Sequence, residues 1–345
     1  MSLAGKIDTA EFLTRAEKLP VIDVRSPSEY QTGHIPASIN IPLFDDRERE
    51  AVGIAYKKEG RNDAILKGLD LIGHSMSARL RSALDIAREG KLLVHCWRGG
   101  MRSEAMAWLF SLGGIDTLIL DGGYKSYRNY ILESLSEKRK TIVLGGLTGS
   151  SKTHILNFIK SNGSQVIDLE HLANHKGSAF GSLGKPPQPS TEHFANLLFE
   201  EWRRLKPDLP VWVEDESRNI GTVFVPDAFY HNNQVSPTII LMMEIKTRLP
   251  RLMDEYSVYP PESLKASILR ITKRLGSDNT RDALNAVDTG DIAKAIEITL
   301  KYYDKAYLFG INRKNNSNIL YVNTNTDDIE TNASMVLEAA EKITW

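Results

Sequence analysis

Short apolar runs alternate with stretches of helical spacing along most of this chain. Residues 19–24 form a brief apolar run ending in Asp23-Val24-Arg25, residues 33–36 (Gly-His-Ile-Pro) a turn, and residues 38–42 a second extended run. A polar stretch over 45–71 carries Arg47, Arg49, Lys57, Lys58 and Arg61. Residues 75–89 then place Met76, Leu80, Leu84 and Ile86 at helical spacing, ahead of a strand at 92–94. After a glycine-bearing loop the pattern predicts a helix to about Leu112, stopped by Gly113-Gly114, and a strand over 117–120 closed by Gly122-Gly123. The charged stretch 133–140 reads as a linker. Beyond it, apolar runs at 141–144, 166–168, 211–213 and 238–243 read as buried strands. From about Leu264 onward the pattern is mainly helical, with a strand at 319–322 and a last helix near 328–343. Residues 181–190, rich in Gly, Pro and Ser, read as the most mobile loop. Strands separated by helices imply parallel sheets with helices on their faces. The expectation is an α/β protein in two domains, 1–135 and 136–345.

Composition narrows the partners. A length of 345 residues suits two domains, and 41% hydrophobic with 25% charged residues is ordinary for a soluble globular chain. Lys and Arg number 43 against 44 Asp and Glu, a net charge of -1, so any nucleic-acid partner must be held by a local basic patch. One cysteine excludes an intramolecular disulfide and a cysteine-cluster metal site, and fits a reducing cytoplasm. Residues 1–10 carry no apolar signal core, and no run approaches the roughly 18 apolar residues of a membrane helix. A cytoplasmic protein without a membrane partner is expected.

That single cysteine, Cys96, lies where the strand at 92–94 should turn into a helix, in His95-Cys96-Trp97-Arg98-Gly99-Gly100-Met101-Arg102-Ser103. There a thiol faces backbone N–H groups and the positive end of a helix, with Arg98 and Arg102 nearby, all of which favour the reactive thiolate. Cys96 is therefore read as a nucleophile or carrier rather than an inert core residue, with Arg98 and Arg102 as its anion-binding partners. His95 is expected to point into the sheet and is not assigned as a base.

The second domain opens with Thr141-Ile142-Val143-Leu144-Gly145-Gly146-Leu147-Thr148-Gly149-Ser150-Ser151-Lys152-Thr153, nearly the phosphate-binding loop G-x-x-x-x-G-K-[ST] behind a strand. Gly146, Thr148, Gly149, Ser150 and Ser151 would wrap backbone N–H groups around an oligophosphate. Lys152 would reach its terminal phosphates, and Thr153 would make magnesium a candidate cofactor. Ser151 departs from the pattern, which asks for Gly there. The strand at 211–213 ends in Glu214-Asp215-Glu216, where such folds keep metal-side carboxylates. The sequence leaves open which of Glu214 and Asp215 points inward. Arg218, Arg248 and Arg251 follow predicted strands and read either as phosphate-closing groups or as ordinary surface charges. Lys265, Arg270, Lys273 and Arg274 read either as a basic face for a nucleic-acid backbone or as a solvated helix face.

The first domain resembles the rhodanese family, whose N-terminal signatures are matched by Val21-Ile22-Asp23-Val24-Arg25-Ser26-Pro27-Ser28-Glu29-Tyr30 and by Gly33-His34-Ile35-Pro36-Ala37-Ser38-Ile39-Asn40-Ile41-Pro42. Its active-site cysteine would be Cys96, and Arg25 with Glu29 would form a structural pair. Five residues separate Cys96 from Arg102, one more than is usual in single-domain sulfurtransferases. This longer loop resembles that of the related cell-cycle phosphatases and suits a phosphate-sized anion.

The order of the two domains narrows the resemblance to the tRNA 2-selenouridine synthase family. It is carried by Cys-Trp-Arg-Gly-Gly-Met-Arg-Ser at 96–103, by residues 169–181 from Leu169-Glu170-His171 to Gly181, and by Val213-Glu214-Asp215-Glu216-Ser217-Arg218-Asn219-Ile220-Gly221. The resemblance implies a rhodanese-like parallel-sheet domain followed by a P-loop NTPase-like α/β domain with a helical C-terminal part. It also implies replacement of sulfur by selenium in wobble 2-thiouridine of tRNA. Selenophosphate would be the donor, and an S-geranyl intermediate would be made from geranyl diphosphate. A selenophosphate-supplying enzyme is then a candidate partner. Three competing readings stay open: a phosphatase–kinase fusion, a non-catalytic tRNA-binding scaffold, and a plain sulfurtransferase.

Overall fold

The computed structural model describes residues 4–313 and 318–345. The first three residues of the N-terminal stretch read above, and residues 314–317 of the helical region, lie outside them. The chain divides into two compact units, Met1–Ser134 and Leu135–Trp345.

The first unit is a five-stranded parallel sheet with the order β1-β5-β4-β2-β3. Its strands are β1 (Gly5–Ile7), β2 (Val21–Asp23), β3 (Ile39–Asn40), β4 (Lys91–His95) and β5 (Asp116–Leu120). Its helices are α1 (Thr9–Ala16), α2 (Pro27–Thr32), α3 (Asp46–Lys58), α4 (Arg61–Ile72), α5 (Met76–Ile86), α6 (Met101–Leu112) and α7 (Gly123–Ser134). Ile22, Leu92 and Val94 from the strands meet Met106 and Phe110 of α6 in the core. The polar stretch 45–71 proves to be two helices. Asp45 and Glu48 cap the start of α3 reciprocally, but only Ala55 of α3 and Ala64, Gly68 and Ile72 of α4 are buried, so no strong apolar stripe marks them. The stretch 133–140 is only partly a connection: α7 runs to Ser134, and Leu135 is fully buried.

A second parallel sheet, order β12-β11-β6-β8-β7, organises the other unit. Here β6 is Thr141–Gly146, β7 Gln165–Ile167 and β8 Val211–Glu214. A small antiparallel pair is formed by β9 (Asn219–Ile220) and β10 (Val223–Phe224), and β11 (Thr238–Met243) and β12 (Ile319–Thr324) complete the sheet. The helices are α8 (Lys152–Ser161), α9 (Leu169–Leu172), α10 (Thr191–Arg204), α11 (Asp227–Val235), α12 (Ile245–Tyr256), α13 (Pro261–Arg270), α14 (Thr272–Leu275), α15 (Ser277–Asp288), α16 (Ile292–Arg313) and α17 (Ile329–Ala340). One core lies between the sheet and α8 with α17. A separate helical core gathers Leu252, Ile268, Val287 and Leu300 from α12, α13, α15 and α16. The helical region thus begins at Ile245, before the point read from the sequence. Residues 181–190 form no helix or strand up to Ser190, and the Gln188 amide ties them down by donating to Ala173 and Ile220 carbonyls, each at 2.9 Å. Among the described residues, no helix is long and apolar enough to cross a membrane.

Candidate functional site

Cys96 follows β4 directly and is only 3% exposed. Its Sγ lies 3.4 Å from the hydroxyl of Ser103, which donates to the Gly100 carbonyl at 2.9 Å. That arrangement leaves the serine oxygen to accept from the thiol. The loop is held from below by the turn after β5. Tyr124 N–H donates to the Cys96 carbonyl at 2.8 Å, and Lys125 N–H to the Trp97 carbonyl at 3.0 Å. Gly123, at φ +62°, passes so close that a Cβ would strike the Cys96 carbonyl and the Gly99 nitrogen. Only glycine combines that backbone angle with that approach.

Arg98 is exposed, and Trp97 is 36% exposed beside the Tyr124 ring at 5.8 Å. Arg102 is half-buried and engages Glu29, with Nη1 donating to Oε2 at 2.6 Å and Nη2 to Oε1 at 3.2 Å. Burial pushes the Glu29 carboxyl up, but Arg102, Ser26 N–H and Arg49 together bring it below the ordinary carboxylate range. The expected pairing of Arg25 with Glu29 is therefore corrected. Arg25 is fully buried on Asp23, its Nη2 donating to Oδ2 at 2.6 Å, under the face of Tyr124 at 3.8 Å. Both arginines have carboxylate partners, but chain separation of only two residues makes Asp23 the nearer one for Arg25. His95 is fully buried, as read from the sequence, and burial lowers it to about 4 against the opposing pull of Asp23. A neutral, enclosed imidazole is not placed to act as a base for the thiol.

In the second unit β6 ends at Gly146 and α8 starts at Lys152, so residues 147–151 form the loop. Ser151 sits in the left-handed region at φ +63°, the conformation the missing glycine would adopt freely. Ser150 and Ser151 are buried with hydroxyls that have no hydrogen-bond partner, and Gly149 packs against Leu252. Lys152 Nζ donates to the Gly146 carbonyl at 3.0 Å. Thr153 Oγ1 lies 3.0 Å from Glu214 Oε1 and 3.1 Å from Glu170 Oε2. Thr148 offers its carbonyl to Arg248 Nη1 at 2.7 Å.

The acids at the end of β8 divide. Glu214 is buried against Thr153 and accepts from Glu170 N–H at 3.0 Å, whereas Asp215 turns to the Tyr307 hydroxyl, which donates to it at 2.9 Å. That hydroxyl also accepts from Gly146 N–H at 2.8 Å. Burial, then the charges of Glu170, Asp168 and Glu216, hold the Glu214 carboxyl well above its usual range. Burial and Glu170 push Glu216 up to about 8, with Lys152 opposing. Crowded, desolvated carboxylates beside a threonine hydroxyl are a hard-oxygen donor set that suits magnesium shared with phosphate oxygens. Among the described residues no three His, Cys, Asp or Glu side chains form a metal cluster by themselves, so the fit depends on oxygens from a phosphate ligand.

Of Arg218, Arg248 and Arg251, the fold takes Arg248 out of both readings, phosphate closure and surface charge alike. Arg248 is 1% exposed and braces the loop from beneath, donating to Thr148, to Met243 at 2.9 Å and to Asp304 at 2.6 Å. Arg251 pairs with Asp327 and Arg218 with Asp227 at the surface. Lys265 is likewise taken up by Asp288 and Glu262, and Arg270 donates to Ser182, while Lys273 and Arg274 are exposed. Sequence reasoning missed Glu29, Ser103, Gly123, Glu170 and Tyr307 as parts of the two sites. Glu29 and Glu170 stand inside motifs that were noticed, but nothing local marks Tyr307, which lies 161 residues from Gly146.

A buried thiol on a rhodanese-type loop and a P-loop with paired carboxylates define a two-unit group-transfer protein. The rhodanese-like domain family matches residues 8–130, and the family described as tRNA 2-selenouridine synthase AAA domain matches residues 139–335. The chain belongs to the tRNA 2-selenouridine synthase family. It is 34% identical to the tRNA 2-selenouridine synthase of Sulfurovum sp. (strain NBC37-1), over 90% of this chain and 93% of that protein. Identity is 33% to the enzyme of Shewanella halifaxensis, over 86% and 89% respectively. The Nitrosomonas europaea enzyme is 39% identical over 251 residues, which are 70% of this chain but 64% of that protein.

Proposed function

We propose that this protein replaces sulfur by selenium in 2-thiouridine at the tRNA wobble position, in two steps divided between its units. In the first, the thiouridine sulfur attacks C1 of geranyl diphosphate. The carbon–oxygen bond breaks, diphosphate departs and the base loses its N3 proton. The P-loop is suited to that step because its N–H groups and Lys152 would meet the charge developing on the leaving diphosphate. Thr153 and Glu214 would hold magnesium, which when bound supplies further charge neutralisation there.

In the second step the Cys96 loop takes selenophosphate. The thiolate attacks phosphorus, forming a sulfur–phosphorus bond and releasing selenide. The selenide adds to C2 of the base and expels geranylthiol, a far better leaving group than the sulfide of a thiocarbonyl. Water then frees phosphate and the thiol, and no oxidant or reductant is needed. Arg98 offers an exposed positive charge for the anion, and Ser103 can turn its hydroxyl to donate to a thiolate.

The observation that carries this reading is a buried cysteine on its own anion-type loop in one unit, together with a P-loop in the other whose Thr153 meets Glu214. Nucleoside mass spectrometry of tRNA incubated with the Cys96→Ser and Lys152→Ala variants tests it. Cys96→Ser should abolish selenation and leave 2-geranylthiouridine to accumulate, while Lys152→Ala should lose geranylation. Equal loss of both products in Cys96→Ser would sink the division of labour.

A further inference from the structure

The C-terminal ends of β6, β11 and β12 surround a cavity of about 860 Å³, within the size range of small-molecule sites. It opens beside the phosphate loop, since Leu147 of that loop forms part of its wall, with Met242, Met243 and Ile245 facing it as well. These are flexible or branched apolar side chains, the kind that adapt to an irregular apolar ligand, and the rest of the wall is polar or charged.

The charged groups of the wall are matched within the protein. Arg248 spends its donors on Met243, Thr148 and both oxygens of Asp304. Lys246 pairs with Glu244 at 2.7 Å at the exposed rim. The Thr324 hydroxyl is used by Thr326. A nucleoside in this cavity would have the side-chain amides of Asn323 and Asn325 as its main polar partners, whereas a hydrocarbon would need none.

We propose that the cavity receives the hydrocarbon chain of a prenyl diphosphate whose diphosphate lies on the P-loop. This rests on the reading of that loop as a diphosphate site, and adds where the chain goes. The P-loop alone would not distinguish one diphosphate ester from another, whereas apolar side chains beside it would favour an ester that carries a hydrocarbon chain.

The test is calorimetric binding to the full-length protein of inorganic diphosphate, dimethylallyl diphosphate, geranyl diphosphate and ATP. Geranyl diphosphate should bind at least about tenfold tighter than inorganic diphosphate, with the five-carbon ester between them. Met242→Trp, which fills the cavity, should erase that advantage while leaving inorganic diphosphate within about twofold of wild type. Ile245→Trp should do the same, and Met242→Leu should keep the advantage. Retained inorganic diphosphate binding shows that a filled variant is folded. Persistence of the geranyl advantage in both tryptophan variants would overturn the proposal. So would an ATP affinity above that of geranyl diphosphate that the same variants remove. Failure of wild type to bind inorganic diphosphate, or indifference of that binding to Lys152→Ala, would instead remove the P-loop reading beneath it.

Discussion

Arg102 and Glu29 form a two-pronged ion pair, 2.6 and 3.2 Å across its two contacts, that ties the first residues of α6 to α2. The same carboxylate accepts from Ser26 N–H at 3.0 Å, so one side chain both caps α2 and positions the arginine of the cysteine loop. The positive charge expected to face an anion at Cys96 is therefore partly spoken for, and Arg98 is the freer of the two arginines.

Removing Glu29 should cost stability. Glu29→Ala takes away a cap and leaves Arg102 half-buried without its partner, an expected loss of about 1–3 kcal/mol. Urea denaturation at neutral pH measures it. An unchanged midpoint would show that the pair contributes nothing.

Gly123→Ala should disturb the thiol rather than the sheet. A Cβ there has no room against the Cys96 carbonyl and the Gly99 nitrogen, and φ +62° is costly for alanine. Cys96 is the only thiol in the chain, so its alkylation rate is read without interference. The variant should react about tenfold faster or more as the loop lifts and exposes the sulfur. Alkylation at the wild-type rate would contradict this account of the turn.

Ser151→Gly should stabilise the second unit. Serine at φ +63° carries left-handed strain, and its buried hydroxyl has no partner. Glycine removes both, for an expected gain of about 1 kcal/mol that a melting curve would register. Diphosphate affinity should be kept, because glycine is what the loop motif asks for at that position. A lower melting temperature would mean that Ser151 makes a contact worth more than its strain.

His95 should make the first unit sensitive to acid. Its folded value of about 4 lies below the ordinary 6.5, so its contribution is fully present above pH 6.5. It is lost as pH falls toward 4, where the unfolded chain takes up a proton that the buried ring refuses. The loss approaches about 3 kcal/mol for this one group. Stability measured across that window should fall more steeply in wild type than in His95→Gln, and parallel profiles would refute the assignment.

Both phosphate-type loops and the alternation of strands with helices that makes the sheets parallel were legible in the sequence, whereas the order of the strands was not. A strand followed by Gly-rich sequence and a helix is a local arrangement, and its glycines and Lys152 are contiguous. Helices α3 and α4 were not legible, because they bury so few side chains that neither presents a strong apolar stripe. Arg248 fits neither of the two readings open to it, for a related reason. Sequence shows that Arg248 follows a strand, but only the fold brings Asp304 and Thr148 to it and turns it into an internal brace.

What the sequence by itself determined is the chemistry within reach of one turn of chain: a thiol at the mouth of a strand, a lysine and threonine behind a glycine-rich loop, and acids ending β8. What only the tertiary structure decided is how those groups are used. It turned Glu214 toward Thr153 and Asp215 toward Tyr307, gave Arg102 to Glu29, and set the Gly123 turn under Cys96. The reason is that short-range geometry follows from adjacent residues. A hydrogen-bond partner 73 or 161 residues away is instead chosen by how the sheet and its helices pack.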